Sequence, residues 1–254
     1  MSDRRLFLKG LTSLPLATVL ANPRLAAAVS AGLQEMTVKL LNGHTVKAAL
    51  AKPPGRAKGS ILLIHEWWGL NDQVKSVASE FATQGYTALA VDLYNGHVAG
   101  TADGARSLMN SVDPEAATQT LQVWVQWLRE NALPGGKVAT IGWCFGGGWS
   151  LNASLASPID ATVIYYGDVA KSAEELASLR GPVLGHFALH DQWINKQMVS
   201  GFEAAMDAAG KSYTNYWYDA QHAFANPTSA RYDAGDAALA WQRTGDFLKQ
   251  ELRG

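Results

Sequence analysis

Apolar residues along the chain follow two rhythms. Between Glu35 and Lys52 they form two short runs, Met36-Thr37-Val38-Lys39-Leu40 and Thr45-Val46-Lys47-Ala48-Ala49-Leu50, which flank Asn42-Gly43. Asn-Gly between two such runs is a strong short-range signal for a β-hairpin. Beyond Pro53-Pro54-Gly55 the apolar positions gather into unbroken runs: Ser60 to Ile64, Thr87 to Val91, Val138 to Ile141, Ala161 to Tyr165 and Val183 to Phe187. A strand that is apolar at every position is buried on both faces, as in a parallel sheet covered by helices. A last short run, Tyr213 to Tyr218, closes the series. Between the runs lie longer stretches with helical spacing, at 72–85, 114–130, 145–157, 194–209 and 230–252. Asp113-Pro114-Glu115 is a helix start, with a capping side chain, proline at the first helical position and an acid in the first turn. Trp124, Trp127 and Leu128 recur at helical spacing and belong to core packing. No repeat or linker divides the body. The pattern predicts a single α/β domain over 29–254, a mostly parallel, doubly wound sheet flanked by helices behind an N-terminal β-hairpin.

The first 28 residues read differently. Arg4-Arg5 precedes Leu6-Phe7-Leu8-Lys9, a weakly apolar stretch runs from Gly10 to Ala21, and Ala26-Ala27-Ala28 offers a small-residue cleavage site. These are the parts of an export leader, and the paired arginines resemble the twin-arginine class. Pro15 and Pro23 interrupt the stretch, which is shorter than the ~20 apolar residues of a membrane span. The expectation is a periplasmic protein that meets the twin-arginine machinery transiently and has no stable membrane insertion after processing. The alternative is an amphipathic helix docked on the domain.

Composition narrows the function classes. With 48% hydrophobic residues, 17% charged residues and a net charge of -1, the chain is an ordinary globular one, large enough for a substantial core. Its basic residues are scattered, without the run or aromatic platform that nucleic-acid binding uses. The only cysteine, Cys144, cannot form an internal disulfide, so it is either packing or chemistry.

Its setting favours chemistry. Gly142-Trp143-Cys144-Phe145-Gly146 follows an apolar run and precedes a helical stretch. Gly-x-Ser-x-Gly in that place is the nucleophile elbow of α/β-hydrolases, here with sulfur for oxygen. In open parallel sheets the working residues collect at the carboxyl ends of the strands. Asp191 and His222 follow later strand-like runs, so nucleophile, acid and histidine appear in the hydrolase order. In that reading His222 holds the Cys144 thiolate as an ion pair and protonates the leaving group, while Asp191 orients the imidazole. Asp168, after Ala161 to Tyr165, is a second aspartate at a strand end and a rival for the acid. Asp191 could instead cap the helix at 194–209. His186 and His190 are four apart, but in an extended run that separates them by roughly 13 Å, too far to share a metal ion. No metal and no cofactor are expected. The amide of Phe145 and one from the loop after the third strand, Ile64-His65-Glu66-Trp67-Trp68-Gly69, are candidate oxyanion donors.

Five segments together, His65-Glu66-Trp67-Trp68-Gly69-Leu70-Asn71, Val91-Asp92-Leu93-Tyr94, Gly142-Trp143-Cys144-Phe145-Gly146-Gly147, His190-Asp191-Gln192-Trp193-Ile194 and Tyr218-Asp219-Ala220-Gln221-His222-Ala223-Phe224, resemble the dienelactone hydrolase family. The resemblance implies the α/β-hydrolase fold, a Cys144, Asp191 and His222 triad, and an oxyanion hole from the amides of Trp67 and Phe145. It also implies that Glu66 holds the thiol at rest and is displaced by substrate. A carboxylate beside a thiol raises the thiol pKa and guards it from oxidation. The family's two substrate-binding arginines are not matched: the first region reads Asn95-Gly96-His97, and the position four past the histidine is Asn226. The expected substrate is therefore a small neutral or hydrophobic ester, lactone or thioester, cleaved through an acyl-enzyme on Cys144. The competing readings are a non-catalytic small-molecule-binding protein that keeps the fold, and a thiol redox protein, which would lack a second cysteine to resolve it.

Overall fold

A computed structural model describes residues 15–40, 43–132 and 135–253. Eight strands form one sheet: β1 (Gln34–Lys39), β2 (Thr45–Ala51), β3 (Ser60–Ile64), β4 (Thr87–Asp92), β5 (Val138–Trp143), β6 (Ala161–Tyr165), β7 (Val183–Ala188) and β8 (Tyr213–Tyr218). Their order is β1-β2-β4-β3-β5-β6-β7-β8. The β1–β2 and β2–β4 pairs are antiparallel, and every other pair is parallel. This is the doubly wound α/β-hydrolase sheet with its N-terminal hairpin. Gly43 in that turn has φ +86°, whereas Asn42 of the expected Asn-Gly signal lies outside the described residues.

Alternation along the central strands sorts their side chains onto two layers of helices. Ile61 and Leu63 of β3 and Ala88 and Ala90 of β4 join one core cluster, which also holds Val77 and Phe81 of α3 (Asp72–Thr83) and Leu248 of α9 (Ala234–Glu251). Leu62, Ile64, Leu89 and Val91 point the other way, onto Leu121, Trp124 and Leu128 of α5 (Pro114–Asn131). All five residues of β3 are buried. A leucine-to-alanine change there costs about 2–5 kcal/mol. Toward the β8 edge, Ile164 and Phe187 pack on Leu151 of α6 (Phe145–Ala156) and on Val199 and Phe202 of α8 (Lys196–Ala208).

Two helices of the body lie outside the stretches expected to be helical. In α4 (Ala102–Asn110) only Ala105 is buried, and Thr101 caps the helix by accepting from the Gly104 amide. The single turn α7 (Ala173–Leu176) exists through a capping box between Ser172 and Glu175. The helix expected at 194–209 begins at Lys196 and is capped by Asn195. Asp191 is therefore not its cap.

Residues 15–30, most of which the sequence assigns to the export leader, form α1 (Leu16–Ala21) and α2 (Pro23–Ser30). Asn22 caps α2, with Pro23 at its first position. The pair lies on α3: Ser76 Oγ donates to the Ala26 carbonyl (3.2 Å), Gln73 Nε2 to the Leu20 carbonyl (3.2 Å) and Ser30 Oγ to Asp72 Oδ1 (2.6 Å). The paired arginines lie outside the described residues. Among the described residues no helix is long and apolar enough to cross a membrane.

Candidate active site

Parallel register brings the strand ends level. Ile64 pairs with Gly142, Trp143 with Tyr165, and Tyr165 with His186. The residues that follow these ends, Glu66, Cys144, Tyr166 and Asp191, are thereby gathered along one edge of the sheet.

Between β5 and α6 the chain reverses at Cys144, whose φ of +54° and ψ of -119° lie outside the regions ordinary residues favour. The reversal depends on two glycines. A Cβ at Gly142 would come within 1.9 Å of the Gly146 carbonyl oxygen, and one at Gly146 within 2.3 Å of the Ile64 carbonyl oxygen. The start of α6 thus rests on the end of β3, which sets the Phe145 amide beside the Glu66-Trp67 loop. His65 tightens the same junction. Its Nδ1–H donates to the Glu66 carbonyl (2.6 Å), its Nε2 accepts from the Leu93 amide (3.2 Å), and its ring stacks on Phe145 at 5.9 Å. Burial lowers the His65 pKa to about 4, so the ring is neutral at neutral pH, as this pattern requires. Sequence reasoning named the His65 motif but gave the residue no role.

The structure brings Cys144, His222 and Asp191 into one line. His222 Nε2 stands 3.1 Å from Cys144 Sγ, and His222 Nδ1 donates to Asp191 Oδ2 at 2.6 Å. The other Asp191 oxygen accepts from the amides of Trp193 (2.9 Å) and Ile194 (3.0 Å). Burial works against the Asp191 charge, but the His222 contact and these two amides outweigh it, and its carboxyl sits below the usual range. Asp168 is exposed, and its Oδ1 accepts from the Ala170 amide. Of the two candidate acids, Asp191 is the one bonded to His222.

Cys144 departs from one expectation. Burial, and next the Glu66 charge, push its thiol up to about 12, although the backbone amides of Phe145 and Trp67 face the sulfur and pull the other way. The resting group is therefore a neutral thiol beside the imidazole, not the thiolate of the ion pair expected from the triad chemistry. A buried sulfur next to a carboxylate does not favour a second negative charge.

Glu66 corrects a second expectation. Its carboxylate does not hold the thiol in this structure; Oε2 accepts from Asn226 Nδ2 at 2.6 Å and Oε1 from the Tyr166 hydroxyl at 3.4 Å. Burial raises its pKa, opposed by the Asn226 bond, the His222 charge and the Tyr166 bond. Asn226 stands where the family resemblance leads one to expect an arginine. A neutral amide there satisfies the carboxylate without a buried cation.

His186 and His190 lie apart. His186 is buried between Tyr218 Oη (2.8 Å) and Thr244 Oγ1 (3.0 Å), whereas His190 is exposed and meets Asp219 Oδ1 at 2.6 Å. An aromatic rim surrounds the thiol side. Trp67 and Trp68 meet edge to face at 5.0 Å, and the exposed Trp193 approaches the His222 ring at 5.2 Å. The Arg231 guanidinium lies 5.3 Å from the Trp193 ring. Sequence reasoning missed this cation because it comes from a loop that no motif marks.

Known proteins share this arrangement of strands and loops. The model of the dienelactone hydrolase family matches residues 46–252. A carboxymethylenebutenolidase of Pseudomonas putida is 28% identical, over 84% of this chain and 94% of its own length. Protein usf of Aquifex pyrophilus is 29% identical, over 83% of this chain and 96% of its own. Among solved structures, a dienelactone hydrolase-like promiscuous phosphotriesterase from metagenomic libraries superposes with a TM-score of 0.78 at 21% identity, covering 87% of this chain and 99% of its own. With a sheet, a strand-end site and a family model that agree over nearly the whole body, the chain belongs to the dienelactone hydrolase family and is a hydrolase of the α/β-hydrolase fold.

Proposed function

We propose that the protein cleaves small, uncharged esters or lactones through a thioester on Cys144. The observation that carries this reading is the unbroken line from Asp191 through His222 to the thiol, at 2.6 and 3.1 Å. As substrate enters, His222 Nε2 takes the thiol proton while Sγ attacks the carbonyl carbon. Negative charge gathers on the carbonyl oxygen, which the amides of Trp67 and Phe145 receive. The imidazolium, held by Asp191, returns the proton to the departing alkoxide, leaving the acyl group on sulfur. Water then attacks the thioester with His222 as base, and the thiol reforms. Removal of the Glu66 charge from the neighbourhood of the sulfur is the step that favours thiolate formation.

The test is a panel of nitrophenyl esters and a neutral enol-lactone, assayed with wild type, Cys144→Ala and His222→Ala. Mass spectrometry of the quenched wild-type reaction is expected to show one acyl group on Cys144. Full turnover by Cys144→Ala would remove the nucleophile, and no turnover by wild type would favour a binding protein that keeps the fold. One observation supports a second substrate reading: Arg231 beside Trp193 gives the rim a cation that could receive an anionic lactone. That reading expects Arg231→Ala to raise KM for a carboxylated lactone and leave neutral esters alone.

We further propose export by the twin-arginine machinery to the periplasm, supported by Arg4-Arg5 and the alanine run at 26–28. Cell fractionation with N-terminal sequencing tests it; a cytoplasmic protein beginning at residue 1 or 2 would refute it.

A further inference from the structure

The peptide between Glu66 and Trp67 is engaged at both ends. Its N–H is the Trp67 donor that faces the Cys144 sulfur, and its carbonyl accepts from His65 Nδ1–H at 2.6 Å. The peptide is trans, so its C=O and N–H lie in one plane and point in opposite directions. Whatever holds the carbonyl therefore aims the N–H. Two donors hold it: the His65 ring, and the Gly69 amide that closes the 66–69 turn at 3.1 Å. The ring makes the shorter bond, and its own place is fixed. Its Nε2 accepts from the Leu93 amide just past β4 (3.2 Å), and the fully buried ring packs on Tyr94 at 4.6 Å and on Phe145 at 5.9 Å. Phe145 supplies the second amide of the oxyanion hole, so one ring braces both halves of it.

We propose that His65 is a positioning residue for the oxyanion hole: by bonding the Glu66 carbonyl it keeps the Trp67 N–H turned toward the carbonyl oxygen of the substrate. The inference rests on the hydrolase reading and adds to it a residue that touches no reacting atom. Only one form of the ring serves. A proton on Nδ1 makes the bond to Glu66, and a bare Nε2 receives the Leu93 amide. With the proton on Nε2, two N–H groups would face each other and the Glu66 carbonyl would face a ring lone pair. A flipped peptide is penalised twice while His65 is present. It would turn the Glu66 carbonyl oxygen into the site, where it repels the developing oxyanion, and it would leave the His65 Nδ1–H buried without an acceptor. Without the ring's donor only the turn bond opposes that flip, and the Trp67 amide is present but less well aimed.

Two substitutions in the full chain separate the two bonds of the ring. In His65→Asn the side-chain NH₂ takes the place of Nδ1–H and the Leu93 bond is lost. In His65→Gln the side-chain oxygen takes the place of Nε2, with no donor at the Nδ1 position. His65→Gln is expected to lower kcat for a nitrophenyl ester about tenfold or more with KM within about threefold, short of the ~10²–10³ lost with a whole oxyanion donor. His65→Asn should keep kcat within about threefold of wild type. Both variants give up buried packing, so a merely structural role would impair both alike. Urea unfolding establishes that each variant folds cooperatively, and where one does not, the other decides alone. The proposal is overturned if folded His65→Gln turns over like wild type, or if folded His65→Asn is as impaired as His65→Gln is expected to be. Nitrogen-15 NMR of the wild-type imidazoles at pH 7 needs no variant: a proton on His65 Nδ1 is expected, and one on Nε2 overturns the proposal. A wild type that cleaves no ester, or Cys144→Ala with full turnover, breaks the hydrolase reading and this inference with it, whereas failure of the His65 arms leaves that reading standing.

Discussion

His222 and His186 are each bonded through both ring nitrogens, yet they occupy opposite kinds of site. His186 lies between two hydroxyls, Tyr218 and Thr244, and it is fully buried. Burial, and next the Arg243 charge, lower its pKa to about 3. His222 lies between a carboxylate and a thiol at the edge of the sheet, with 12% of its side chain exposed. Both rings have partners for both nitrogens. What separates them is the acidity of their partners: the hydroxyls beside His186 hold its tautomer, whereas those beside His222 can stabilise an imidazolium and supply a proton. A hydrogen-bonded histidine therefore becomes a chemical candidate through the company it keeps.

The sharpest way to break this contrast is to remove each ring in turn. His222→Ala and Cys144→Ala are expected to lower kcat for ester hydrolysis on the order of 10³-fold or more. His186→Gln should leave kcat within about threefold and appear instead as lost stability in urea unfolding, about 1–3 kcal/mol for a disturbed buried network. Equal losses of kcat would end the comparison. The acid is next: Asp191→Asn should cost on the order of 10²-fold or more in kcat, and Asp168→Asn less than about twofold.

Acid titration of stability separates the buried rings from the exposed ones. The folded-state pKa values of His65 and His186 are lowered to about 4 and about 3, below the ordinary 6.5. The unfolded chain binds more protons than the folded one between these values and 6.5. Stability should therefore fall as pH drops below about 6.5 and level off for each ring below its folded pKa. His65 alone contributes about 3 kcal/mol to this loss. Urea midpoints at pH 7 and pH 4 measure it, and an unchanged midpoint would refute the neutral, buried assignment.

The smallest expected effect concerns the thiol. Glu66→Gln removes the second largest cause of the raised Cys144 pKa. Alkylation by iodoacetamide at pH 8 should then speed up by about tenfold, the effect of one pKa unit. A slower reaction would mean that Glu66 acts on the sulfur by some route other than charge.

The sheet was legible in the sequence because each central strand is a mainly apolar run, buried along its whole length, and each such run became a strand within two residues of its predicted limits. Cys144, Asp191 and His222 were legible as an order of residue types after strands, and the structure brings them together. Choosing between Asp191 and Asp168 was not possible from the residues alone, since both follow strand ends. The contact that distinguishes them spans 31 positions. Also hidden were Arg231, which reaches the rim from an unmarked loop, and the pairing of Glu66 with Asn226 across 160 positions. Such pairs depend on how loops from distant strands meet, and no local periodicity encodes them.

The buried thiol has a consequence for the making of the protein. In the folded chain Cys144 titrates near 12, against an ordinary 9.0 before folding. The surroundings that suppress its ionisation come from β3, β5 and the Asp191 loop, so they exist only once these segments have met. A newly made chain therefore carries its one cysteine in its most oxidisable form, and completing the fold is what retires that hazard. For this hydrolase the danger of oxidising Cys144 is greatest during synthesis, and the rate at which the chain folds sets how long that exposure lasts.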